Sequence, residues 1–129
     1  MPSPDKDLDR FFGAHQESRR IFDALATNVQ EFGPLDIRTS KSQVAFWREH
    51  PFAWAWLPEQ YLKREAATLV LTVGLRRRDT SPRWKQVVEP AAGRFTHHLE
   101  LGSVSDIDSE VRGWLREAWE VAGPKGGKT

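Results

Sequence analysis

A chain of 129 residues with 39% hydrophobic, 29% charged and 11% aromatic residues is long enough for one core and too apolar for disorder. It has no cysteine, which excludes a disulfide framework, thiol catalysis and thiolate metal sites. With no apolar run of signal-peptide or membrane-span length, it reads as one cytoplasmic domain over residues 7–123, with flexible tails at 1–6 and 124–129 and no membrane segment. Net charge of +1 and a pI near 8.1 fall short of the basic balance of dedicated nucleic-acid domains, so where the charges sit matters more than their sum.

Asp7-Leu-Asp-Arg-Phe-Phe opens a short helix with acids in its first turn, favourable for the helix dipole. From Gln16 to Phe32, Ile21, Phe22, Leu25, Val29 and Phe32 recur at three- and four-residue spacing, which predicts an amphipathic helix stopped by Gly33-Pro34. Leu35 to Thr39 alternates as a short strand. Ser40 to Pro58 holds three of the six tryptophans and predicts two strands about a turn at Arg48–Pro51. Val44 and Phe46 share one face of the first strand, and Phe52, Trp54 and Trp56 share one face of the second. This hairpin is expected at the centre of the sheet, with Trp54 and Trp56 in the core.

Pro58 to Glu65 reads as a polar connection anchored by Tyr61 and Leu62. Leu69, Leu71, Val73 and Leu75 then alternate with Val70, Thr72, Gly74 and Arg76 in the clearest strand pattern. Arg77 to Pro82 reads as a charged loop, Arg83 to Val88 as a helical turn or short strand, and Glu89 to Gly93 as a turn. In the next strand Phe95, His97, Leu99 and Leu101 face one way and Arg94, Thr96, His98 and Glu100 the other. Ser105 or Asp106 caps a final helix with the stripe Ile107, Val111, Trp114, Leu115, Ala118 and Val121, ended by Gly123. The fold class is α+β: an antiparallel sheet of about five strands, with N-terminal helices and a C-terminal helix packed on one face.

Ala122-Gly-Pro-Lys-Gly-Gly-Lys-Thr129 matches a relaxed phosphate-loop string, but it follows a helix and opens none, so it reads as a tail. His97 and His98 are adjacent on a strand and point to opposite faces, so no metal is expected there. His97 belongs to the core, and His98 is the freer proton carrier. No nucleophile elbow or carboxylate pair occurs. No catalytic residue is nominated, no cofactor is expected, and a binding protein is favoured over an enzyme.

Arg76-Arg-Arg-Asp-Thr-Ser-Pro-Arg-Trp-Lys85 mixes guanidinium groups with an indole, the combination that neutralises phosphates and stacks a base. The plain alternative is a solvated loop. In the nucleic-acid reading Lys41, Arg48, Arg76, Arg77, Arg78 and Lys85 contact phosphates and Trp84 stacks. A second reading is a pocket for a small molecule or anion, walled by Trp47, Trp54 or Trp56, with Lys41, Thr96 and His98 as polar fixtures. A third is a protein-interaction module using an exposed aromatic patch; the expected state is a monomer or weak homodimer.

Thr39-Ser-Lys-Ser-Gln-Val-Ala-Phe46, Phe52-Ala-Trp-Ala-Trp-Leu-Pro58, Thr96-His-His-Leu-Glu-Leu101 and Trp114-Leu-Arg-Glu-Ala118 resemble, in this order, an uncharacterised bacterial family of unknown function, over residues 8 to 123. Larger proteins carrying a similar domain resemble nuclease or restriction-related proteins, which implies service near nucleic acid. The Thr-His-His strand followed by an acidic helix is also similar to the YjbR-like double-wing fold, itself similar to the frataxin-like sandwich. The acidic ridge that a frataxin-like iron role needs is reduced here to Asp5, Asp7 and Asp9.

Overall fold

The computed structural model describes residues 4–58 and 68–124. These form helices α1 (Pro4–Phe12), α2 (Gln16–Gln30) and α3 (Ser109–Val121), and strands β1 (Asp36–Thr39), β2 (Val44–Trp47), β3 (Pro51–Trp56), β4 (Leu69–Leu75), β5 (Gln86–Ala91) and β6 (Arg94–Leu101). The strands form one antiparallel sheet in the order β1-β2-β3-β4-β6-β5. The class is α+β, with six strands where five were expected. No helix among the described residues is long and apolar enough to cross a membrane.

The additional strand is β5. Glu89-Pro-Ala-Ala-Gly93 has the composition of a turn, because proline cannot donate to a ladder. β5 is an edge strand, however, and its pairing with β6 shifts register between Val88 and Ala91, so Pro90 sits where a missing N–H is tolerated. The actual turn is Ala92-Gly93.

Cross-strand pairing carries Val44, Phe46, Ala53, Ala55, Leu71 and Val73 to one face, where they are buried. Against it α2 lays Ile21, Phe22, Leu25 and Val29, and α3 lays Val111, Trp114, Leu115 and Ala118, all in one hydrophobic cluster that Leu8 and Phe12 of α1 extend. The Phe22 and Phe46 rings stack with centroids 5.5 Å apart and 8° between planes, joining helix layer to sheet.

Trp54 and Trp56 are on the other face and half-exposed, opposite Thr72 and Val70 of β4. The core position expected for them is therefore corrected: β3 gives its small Ala53 and Ala55 to the helices. Phe52, which simple alternation groups with the two tryptophans, goes inward. Phe46 pairs with Ala53 and Trp47 with Pro51, leaving Phe52 as the extra residue of a bulge. Its ring is 6.2 Å from that of Phe46 and it is 2% exposed.

Smaller differences have similar local causes. α1 opens at Pro4 rather than Asp7. Asp108, whose carboxylate accepts from the Val111 N–H at 3.1 Å, caps α3; Asp106 is used one step earlier, in a capping box with Ser103 around the 3₁₀ turn Val104–Asp106. The connection expected around Tyr61 and Leu62, and most of the glycine-rich C-terminal string, lie outside the described residues.

The C-terminus of α3 is fastened to the β2–β3 turn. Arg48 Nη1 donates to the Trp119 carbonyl at 3.1 Å, its guanidinium lies 3.6 Å from the Trp119 ring centroid, and the Glu49 N–H donates to the Ala122 carbonyl at 3.0 Å. These bonds satisfy carbonyls that a helix end leaves open, and the cation complements the dipole. Two glycines make room for the joint. A Cβ on Gly123 would fall on the Arg48 guanidinium, and one on Gly33, at φ +152, would come within 2.6 Å of the Trp119 ring. Arg48→Ala is expected to cost about 2 kcal/mol in a urea melt, from the lost charged hydrogen bond and cation–π contact. Arg48→Lys should recover less than half of that, since an ammonium cannot both stack flat and donate. A loss below about 0.5 kcal/mol would contradict the joint.

Candidate functional site

The charged loop after β4 is folded onto α3. Arg77 donates to both carboxylate oxygens of Glu117, each at 2.9 Å, and to Asp79 Oδ1 at 2.8 Å. Arg83 donates to Asp108 at 3.0 Å, to Glu110 at 2.9 Å and to the Asp106 carbonyl at 3.2 Å. Hydrogen bonds donated to Glu117 and then to Asp79 hold the Arg77 pKa well above its usual range, and those to Glu110 and Asp108 raise that of Arg83. Both guanidinium groups are engaged within the fold.

Trp84 is 8% exposed, its ring 4.1 Å from that of Trp114 and 4.8 Å from that of His97, and its indole N–H donates to Asp79 Oδ2 at 2.8 Å. The stacking platform expected there is corrected: the ring belongs to the core. Asp79 organises this corner. Burial by itself raises a carboxyl pKa, but the Trp84 indole, the Ser81 amide and Arg77 outweigh it and hold Asp79 at about 2. The Asp79 N–H donates to His97 Nε2 at 2.9 Å, so Nε2 is the acceptor and Nδ1–H faces the Val73 carbonyl at 3.4 Å. His97 is thus a fully buried, neutral core residue, as its alternation implied; burial lowers its pKa.

The remaining nominated residues are not gathered in one place. Lys41 is exposed beside a depression that also holds Asp7 and Arg10, which are paired at 3.6 Å. Trp47 is half-buried under the Arg38 guanidinium at 3.9 Å, and Arg48 is committed to α3. Lys85 is exposed at the start of β5, its N–H donating to the His98 carbonyl at 2.8 Å. Arg76, Arg78 and Thr96 are brought together at the opposite end of β6.

At that end a cleft of about 400 Å³ is lined from both faces of the sheet, by the last turn of α3 on the covered side and by Trp54 on the uncovered side. Pro51, Phe52 and Trp54 of β3, Phe95 of β6 and Val121 and Ala122 behind α3 form its apolar wall. Its polar fixtures are Arg76, Arg94, Thr96 and His50, and no carboxylate lines it among the described residues. Arg76 lies one residue past the Leu75–Phe95 pair that ends the β4–β6 ladder and Arg94 one residue before it, and both line the cleft. Neither makes an ion pair among the described residues, in contrast to Arg77 and Arg83. Arg78 braces the wall, its guanidinium 5.5 Å from the Phe95 centroid. Gly74 keeps the floor low: a Cβ there would meet the Trp54 ring at 3.6 Å. Arg94, Phe95 and Gly74 were not nominated from sequence. Their only signal was the parity that puts Arg94 and Thr96 on one face and Arg76 and Gly74 on one face.

Beyond the cleft, the uncovered face carries a row that crosses the sheet by register: Arg38, Ala45, Trp54, Thr72, His98 and Gln86. Trp56 Nε1 donates to Thr72 Oγ1 at 3.1 Å, and Thr72 Oγ1 is 2.8 Å from His98 Nδ1. Burial lowers the His98 pKa.

The model of one family, described as Domain of unknown function (DUF5655), matches residues 9–122. The chain belongs to this family. Every residue lining the cleft, from His50 to Ala122, lies inside the span of the DUF5655 match. No curated protein and no solved structure matched the chain. The membership of an uncharacterised family expected from the sequence is thereby shown, while the likeness to the YjbR-like double wing rests on the sequence resemblance alone.

The two histidines and Asp79 set a pH dependence of stability. His97 and His98 bind protons less readily folded than unfolded, so their contribution is complete above the ordinary histidine pKa of about 6.5 and falls as pH drops below it. Asp79, with its folded pKa near 2, contributes above the unfolded carboxylate value of about 4 and loses that contribution as pH falls towards 2. Urea midpoints are expected to decline in two stages, below about pH 6.5 and again below about pH 4. A flat profile from pH 7 to 5 would contradict the neutral, buried histidines.

Proposed function

We propose that this domain is a binding module whose cleft takes a small anionic ligand with a flat or apolar body. One observation carries the reading. Arg76 and Arg94 flank the last pair of the β4–β6 ladder and both line the cleft, with no carboxylate among its described lining, an arrangement that like-charge repulsion disfavours and a bound anion relieves. The cleft volume falls in the range of small-molecule sites, and its wall is aromatic and aliphatic with few polar fixtures, as such sites are. The carboxylate or phosphate of the ligand lies between the two guanidinium groups, and its body lies against Trp54, which shares the uncovered face with Thr96.

Nucleic acid is supported as a source of the same chemistry at a phosphorylated end, because Arg76, Arg78 and Arg94 gather at one end of β6. An extended strand finds less: Arg77, Arg83 and Arg48 are engaged internally, and Lys85 is about 13 Å away along the sheet from Arg94.

Calorimetric titration with naphthalene-2-carboxylate is expected to show saturable binding, and naphthalene-2-methanol, the same body without charge, to bind at least tenfold more weakly. Arg76→Ala and Arg94→Ala should each weaken the carboxylate by about tenfold, the loss of a charge-assisted bond worth about 1.4 kcal/mol or more, with thermal midpoints unchanged. Equal affinity for the charged and neutral compounds, or binding untouched by both substitutions, would refute the cleft as an anion site. An oligonucleotide that binds equally with and without a 5′-phosphate would likewise exclude the phosphorylated end.

A further inference from the structure

The open face beside the cleft carries a hydrogen-bond chain whose direction is determined. The Trp56 indole can only donate, so Thr72 Oγ1 accepts from it at 3.1 Å. The hydroxyl hydrogen of Thr72 then needs an acceptor, and the group within reach is His98 Nδ1 at 2.8 Å. The reverse assignment, with Nδ1–H donating to Thr72, would leave a hydroxyl hydrogen unpaired on a residue only 6% exposed, which costs more than it returns. Nδ1 is therefore the acceptor, and the ring proton is on Nε2, which makes no hydrogen bond to any described residue. The half-buried position of His98 keeps the ring neutral.

Arg94, Thr96, His98 and Glu100 share one face of β6, with Thr96 in the cleft and His98 about 7 Å further along. The face thus runs from cation through hydroxyl and neutral N–H donor to carboxylate. We propose that the ligand site extends from the cleft along β6 to His98, whose Nε2–H reads a neutral hydrogen-bond acceptor, a carbonyl, amide or ring nitrogen, at the end of the ligand remote from its anionic group. Glu100, next on the same face, selects against a second anion there. Thr72 is the positioning residue, since it holds the tautomer without touching ligand. This inference rests on the cleft reading, and it assigns the ligand class more narrowly: a flat molecule with one anionic end and one neutral acceptor end.

Two measurements test it. In the free protein at pH 7, ¹⁵N spectra of the histidine rings should show His98 as the Nε2–H tautomer. Thr72→Val, which keeps the shape and removes the hydroxyl, should give a mixture, and Thr72→Ser should restore the wild-type signal. An Nδ1–H tautomer in the wild type, or a Thr72→Val spectrum identical to it, overturns the proposal. In titrations, 6-acetylnaphthalene-2-carboxylate should bind about fivefold more tightly than naphthalene-2-carboxylate, the ratio expected of one neutral hydrogen bond; naphthalene-2,6-dicarboxylate should bind more weakly than either. The fivefold advantage should vanish in Thr72→Val and His98→Phe while naphthalene-2-carboxylate itself is unaffected. Equal affinity of the acetyl and parent compounds, with both still dependent on Arg76 and Arg94, overturns the role of His98 and leaves the cleft reading standing. Failure of all three compounds to bind overturns both.

Discussion

The cleft exists because the end of α3 is held against the β2–β3 turn. An amphipathic helix on a sheet can slide or tilt over its apolar stripe at little cost, and Val111, Trp114, Leu115 and Ala118 specify only which face goes down. The contact of Arg48 with the Trp119 carbonyl and ring, with the Glu49 N–H on the Ala122 carbonyl, specifies where the helix stops. That stop places Val121 and Ala122 at the covered end of the cleft with Phe95, while Trp54 lines it from the uncovered face. A surface arginine pair is worth little in water, but a guanidinium stacked on an indole and bonded to an open helix carbonyl acts on three elements at once.

Charge is partitioned in the same spirit. The middle of the chain is locally basic, yet its arginines divide into two populations. Arg77 and Arg83 meet Glu117, Glu110 and Asp108 of the helix region and fasten the β4–β5 loop, with Asp79 as the internal anion that ties Arg77 to the Trp84 indole and the Ser81 amide. Arg76 and Arg94 project from the strands on the other side. Each strand's period of two separates them: Arg76 and Arg77 are neighbours in sequence and leave the sheet on opposite faces, so one guanidinium finds α3 and the other the cleft.

Most of the fold was legible in the sequence because period and parity are local. The stripe Ile21, Phe22, Leu25 and Val29, the alternation of Leu69 to Leu75, and the opposite facing of His97 and His98 all reappear as read. What failed depended on a neighbour. Phe52 turned inward because a bulge shifts the register against Phe46, and with it the tryptophans of β3 went to the uncovered face instead of the core. The second half of β5 looked like a turn because Pro90 is excluded from interior strands, and only its edge position permits it. Trp84 looked like a platform because its flanking arginines and lysine suggested solvent, whereas Asp79, five residues earlier, supplies the acceptor that lets the indole be buried. The meeting of Arg76 and Arg94 in one cleft could not be read before the pairing of β4 with β6 was known.

Anion binding beside Trp54, at the uncovered end of the cleft, is open to direct measurement. The most direct measurement is a two-dimensional ¹H–¹⁵N spectrum of the protein, including indole and arginine side-chain N–H signals, recorded as naphthalene-2-carboxylate is added. Progressive shifts are expected of the Trp54 indole, the Arg76 and Arg94 Nε–H groups and the backbone of Phe95 and Thr96, with the Trp84 indole and Arg77 still. Shifts centred on Lys41 and Arg10, or a spectrum that does not change, would contradict anion binding there.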